Sequence, residues 1–209
     1  MIQSQDSSHA SQHILAVAQT ASTGQSALPK TKQEVELLRD IADLNGTSLT
    51  IVQDDGATVQ RVINEMNTCS WIHLACHGIQ GLDDPTKSAF ILADGHLELA
   101  KIIKHPLPHA EFAFLSACQT ATGDAKLAEE AVHLAAGMLL AGYRGVIATM
   151  WAILDKDGPV VARIVYDEML REGNADYTRG AYALHRAVEH LRLSGAPYMA
   201  WLPFIHMGM

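Results

Sequence analysis

Apolar and polar positions fall into two kinds of block along this chain. Five short apolar runs read as strands buried on both faces: HILAVAQ from His13, SLTIV from Ser48, WIHLACHG from Trp71, EFAFLSAC from Glu111 and RGVIATMW from Arg144. Between them the apolar positions recur with helical period. KTKQEVELLRDIADL places Val35, Leu38 and Ile41 or Ala42 on one face, and DGATVQRVINEM places Val59, Val62, Ile63 and Met66. KLAEEAVHLAAGMLLAGY carries a stripe of Leu127, Ala131, Leu134, Ala135 and Met138, with Gly142 as its terminator. GPVVARIVYDEMLREG, with Pro159 in its first turn, and TRGAYALHRAVEHLRLSG read as two further helices, and a short one is expected near Ala100–Lys104. SAFILADGHLEL reads as a hairpin turning at Asp94-Gly95, and YMAWLPFIHMG as a final strand. Strands alternating with helices predict an α/β fold, with a mostly parallel sheet covered on both faces.

Residues 1–12 are polar and rich in Ser and Gln, so a disordered tail is expected before one domain over 13–209. The 209 residues are 48% hydrophobic, enough for a sizeable core. A net charge of −8 argues against a nucleic-acid partner, which would need a basic face. No apolar run reaches the roughly 18 residues of a membrane span, and no basic-then-apolar leader opens the chain. Three cysteines without framework spacing suit a reducing compartment, so the cytoplasm is the expected location.

In parallel sheets, sites form where strands end at their carboxyl edge. Two of the runs end in reactive side chains, HLACHG in His77-Gly78 and FLSAC in Cys118. Cys118 follows the apolar run Phe112–Leu115 and opens the loop-like stretch QTATGD, where a structural core thiol has little reason to sit. A neighbouring imidazole lowers a thiol's pKa and can then protonate a leaving amine. The amides of Gly78 and Cys118 suit an oxyanion hole, since glycine lets a carbonyl approach closely. If the two strands are parallel neighbours, the side chains are expected within about 3–6 Å of each other. A spacing of 118 − 77 = 41 residues is weak evidence alone, and a core thiol with a satisfied histidine remains the alternative.

Five blocks in one order sharpen this. HLACHG, SAFILADGHLEL, FLSACQTATGD, EEAVHLAAGMLLAGYRGVIATMWAILDKD and WLPFIHMG together resemble the CHAT domain, a caspase-like cysteine-protease family related to separases. Their wording is closest to CHAT proteins of filamentous and mushroom-forming fungi. The resemblance implies a caspase-like three-layer sandwich around a six-stranded sheet, and a cysteine endopeptidase that needs no cofactor. It implies a dyad of Cys118 as nucleophile and His77 as general acid/base. Fungal CHAT domains normally carry a further segment upstream of the strand that HILAVAQ resembles, and often a repeat array. The chain is therefore expected to be the catalytic part of a longer design, latent or marginal alone. A repeat-bearing partner or a second copy is the expected complement, and a protein or peptide the expected substrate. A non-catalytic regulatory or interaction module is the alternative function. In separases an Asp after the Trp corresponding to Trp151 selects Arg at the cleavage site; here that position falls on Pro159, with Asp155 and Asp157 nearby.

Other candidates have two readings each. Trp151 either floors a substrate pocket or packs in the core, and Asp155 and Asp157 either enter that pocket or cap the following helix. His73 either orients His77 or is a hydrogen-bonded core histidine. Cys76 is expected on the opposite face from His77, as a buried thiol. The pattern His73-x-x-Cys76-His77 spreads its ligands over both strand faces, so no metal is expected there.

Overall fold

A computed structural model describes residues 12–22, 24–79, 81, 84–116, 131–151 and 153–208. The five apolar runs become β1 (His13–Ala18), β2 (Ser48–Gln53), β3 (Trp71–Ala75), β7 (Phe112–Leu115) and β8 (Gly145–Thr149). With β9 (Phe204–Gly208) they form one sheet in the order β2-β1-β3-β7-β8-β9. The first five strands are parallel, and β9 alone runs antiparallel, against β8. A small antiparallel sheet of β4 (Gly78–Ile79), β5 (Ala89–Leu92) and β6 (Gly95–Glu98) stands apart.

Side chains alternate across the main sheet and feed two separate cores. Leu15, Val17, Ile72, Leu74, Ala113 and Val146 face α2 (Val59–Met66), α3 (Leu99–Lys104) and α4 (Ala131–Leu140). Ile14, Ala16, Trp71, Phe112, Phe114 and Ile147 face α1 (Lys30–Leu44), α5 (Gly158–Met169) and α6 (Gly180–Leu193). With each large apolar side chain contributing about 1.5–3 kcal/mol on burial, both faces of the sheet drive the fold. The result is the expected three-layer α/β sandwich. Helix α1 spans the residues read for it, and Gly142 follows α4 at φ +112°.

Three local expectations change. The hairpin pairs Leu92 with Gly95, so its two turn residues are Ala93-Asp94 rather than Asp94-Gly95. Gly95 still supplies the glycine-favouring backbone, at φ +152°. The block YMAWLPFIHMG is not one strand: Tyr198–Trp201 forms a short helix, α7, and only Phe204–Gly208 is extended. Pro203, lacking an N–H, stands at that junction. Strand β3 stops at Ala75, so His77 lies past its end and Gly78 opens β4. Residues 1–11 of the expected tail and Leu127 lie outside the described residues.

Candidate active site

Strands β3 and β7 are direct parallel neighbours, in register from Trp71↔Phe112 to Leu74↔Leu115. Their carboxyl ends therefore leave the sheet side by side, one toward His77 and one toward Ser116. Cys118, its amide and its distance from His77 lie outside the described residues.

His77 is buried, and Nε2 sits 2.7 Å from the backbone oxygen of Ser26. A carbonyl only accepts, so Nε2 carries the proton and Nδ1 keeps its lone pair. The Ser26 carbonyl thus selects the tautomer of the neutral ring, and Nδ1 is left buried without a hydrogen-bond partner among the described residues. The backbone is held as well, since Ile91 N–H donates to the His77 carbonyl at 2.8 Å. His77 and Ile91 are thereby a hydrogen-bonded pair, and antiparallel alternation makes the next pair, Gly78 and Phe90, the other kind. The Gly78 N–H is consequently turned away from β5 and outside that ladder, as an oxyanion donor must be.

His73 takes the core reading. Nε2 lies 3.2 Å from Glu34 Oε1, Nδ1 lies 3.2 Å from the Tyr166 hydroxyl, and the ring stacks on Phe114. Its partners come from α1, α5 and β7, not from His77. Cys76 is buried in the core opposite Trp71, as the alternation predicts, and burial pushes the Cys69 thiol up to about 12. A thiol so raised is inert at neutral pH.

The three substrate-pocket candidates separate. Trp151, just past β8, is half-buried, and its Nε1 has no hydrogen-bond partner among the described residues. Asp155 caps a helix, but it is α1 rather than the following one: its Oδ2 accepts from the Lys30 N–H at 3.1 Å. Asp157 occupies the N-cap position of α5 without a side-chain capping bond, which corrects the capping expectation for it. Its side chain is buried, Oδ2 is unpartnered, and desolvation pushes its carboxyl above the ordinary range against the pull of Lys156. A groove of about 490 Å³ runs between α1, α5 and α6, lined by Lys30, Leu37, Lys156, Pro159, Arg163 and His190 among others.

Sequence reading missed Glu34, Ser116, Tyr166 and the Ser26 carbonyl. Glu34 left a trace, since it shares the buried face of α1 with Leu38 and Ile41 at helical spacing. The Ser26 carbonyl left none, because a backbone acceptor has no residue type.

Comparison with known proteins agrees with this architecture. A family model described as the CHAT domain matches residues 1–209. No curated protein matches. Among solved structures, the Arg-specific cysteine proteinase gingipain R (RGPB) is similar at 15% identity and a TM-score of 0.54, over 88% of this chain and 43% of that one. The complex of the pro- and mature domains of RgpB from Porphyromonas gingivalis is similar at 14% identity and a TM-score of 0.56, over 94% and 47%. The chain thus spans less than half the length of either, and at such identity the likeness is one of fold, the caspase-like α/β sandwich.

Proposed function

Because the chain belongs to the CHAT domain family, we propose that it is a cysteine endopeptidase acting on intracellular proteins, with Cys118 as nucleophile and His77 as general acid/base. The observation that carries this reading is the state of His77. One ring nitrogen is spent on a backbone carbonyl and the other is buried with its lone pair unused, at the sheet edge where the Cys118 strand ends.

The chemistry balances with these groups. His77 Nδ1 takes the proton from the Cys118 thiol, and the thiolate sulfur attacks the scissile carbonyl carbon. The electron pair of the C=O bond moves onto oxygen, where the N–H groups of Gly78 and Cys118 stabilise it. Collapse breaks the C–N bond, and the His77 imidazolium gives its proton to the leaving amine. Water then attacks the thioester, losing a proton to His77, and the departing sulfur recovers it. No metal or cofactor enters any step.

Cleavage of a peptide library tests the reading directly. His77→Ala and Cys118→Ala should each remove activity, with a loss of at least about 10²-fold for the acid/base residue. Cys76→Ala should retain it. A folded wild-type chain that cleaves nothing, and whose Cys118 ignores an electrophilic peptide probe, would establish the interaction-module alternative instead.

A further inference from the structure

The ladder between β3 and β7 closes at Leu74↔Leu115, and that between β7 and β8 one residue earlier, at Phe114↔Ile147. Ser116 is past both ladders and is nevertheless buried. Its hydroxyl donates to Glu34 Oε2 at 3.1 Å, while Oε1 of the same carboxylate faces His73 Nε2 at 3.2 Å. The chain of contacts continues through His73 Nδ1 to the Tyr166 hydroxyl, also at 3.2 Å. Burial and the Glu34 charge hold Tyr166 as a phenol, able to donate to Nδ1. The hydrogen bonds proper are those of Ser116 with Glu34 and of Tyr166 with His73, and between them His73 Nε2 and Glu34 Oε1 lie at ion-pair distance without a hydrogen bond.

Stability alone is a poor reason for such a network. Replacing buried charged groups with well-packed apolar side chains of similar volume is often neutral or stabilising. What hydrogen bonds add over apolar contact is direction, and here the direction is applied at the first residue beyond the ladders. The first residue of α5 respects the same spot. A Cβ on Gly158 would lie 3.0 Å from Glu34 Oε2 and 3.1 Å from Ser116 Oγ, closer than ordinary contact.

We propose that Glu34 is a positioning residue: by holding Ser116 it fixes the point from which the chain departs toward Cys118, two residues on. It is the counterpart of the Ser26 carbonyl and the Ile91 N–H, which fix His77. The purpose rests on the peptidase reading; the geometry does not.

The test follows alkylation of Cys118 by iodoacetamide in the folded chain, with peptide mapping to separate it from buried Cys69 and Cys76. Ser116→Ala removes the hydroxyl, and Gly158→Ala displaces the pair while deleting no polar group. Each should slow alkylation of Cys118 about tenfold, a decade less than a 1 Å misplacement can cost, and flatten its pH profile toward that of an isolated thiol. Where peptide cleavage is measured, kcat should fall and KM should hold. Wild-type alkylation rates in both variants, with only the melting temperature lowered, would overturn the proposal and leave the network structural. Should Ser116→Ala not fold, Gly158→Ala decides, because alanine suits a helix better than glycine does. A wild-type chain that cleaves no peptide and whose Cys118 ignores the peptide probe, but that still shows both variants slow with iodoacetamide, would sink the peptidase reading and leave this one standing.

Discussion

Asp157 shows how one side chain makes stability depend on pH. Its carboxyl is raised above the ordinary value of 3.8 by burial, so the folded chain holds the proton more tightly than the unfolded chain. Below 3.8 both states are protonated and the residue costs nothing. As pH rises through the raised value the folded state carries an unpartnered buried carboxylate, and stability is lost. Asp157→Asn should therefore stabilise the chain by about 1 kcal/mol at pH 7, the order of an unsatisfied buried group, and by nothing at pH 3. Urea melts at the two pH values measure this, and an equal effect at both would contradict it. At this scale the sequence was only partly legible. His77 stood out because a histidine at a strand end before glycine has little packing role. Glu34 and Tyr166 hid inside apolar stripes, where only contacts across the sandwich give them a purpose.

Elements were more legible than residues, because period and length are local properties. Helix α1 and the parallel run of β1, β2, β3, β7 and β8 follow from burial pattern alone. The hairpin shows where such reading slips. Asp-Gly is a turn signal, but the Asp94 carboxylate is engaged elsewhere, accepting from the Val59 N–H at 2.7 Å at the start of α2. That bond, with Ala93 N–H donating to Ala57 O, ties the β5–β6 turn to the entry of α2. Asp94→Ala should cost about 1 kcal/mol through the lost cap. It should also speed amide exchange at Val59 and along β5, which hydrogen exchange can resolve. Protection unchanged at both would mean that the turn is held by its backbone alone. Helix α7 escaped for a different reason: four residues are too few for a helical period to declare itself.

At the scale of the whole molecule, the layers set which surfaces meet. Pro159 lines a groove shared by three helices, in the company of Lys30, Lys156 and Arg163 and with no carboxylate among the described residues that line it. On the peptidase reading, a substrate Arg entering that groove would meet cations and no carboxylate, and Asp155 is occupied at the start of α1. The expected outcome of library profiling is thus no marked preference for Arg at the cleavage site. A strong preference abolished by Asp157→Asn would show instead that Asp157 turns its carboxylate to the substrate. The caspase-like topology could be anticipated from strand and helix alternation and from the family blocks. The reversal at β9 could not, since neither hydrophobic period nor composition encodes the direction of an edge strand.

That reversal decides where the molecule can be held. Because β1 begins at the amino edge of the sheet and β9 runs backward to end there, Gln12 and Gly208 leave on the same side, opposite His77. Four strand spacings separate them, roughly 19 Å, and a strand length of about 17 Å stands between either and the edge that carries His77. Anything tethered at these ends, whether a repeat module, a surface anchor or a purification tag, grips the molecule from behind. To influence the His77 edge from Gln12 or Gly208, it must pass along the sandwich or act through the sheet itself. The two exits of the described chain and the edge that carries His77 thus lie at opposite ends of the strands.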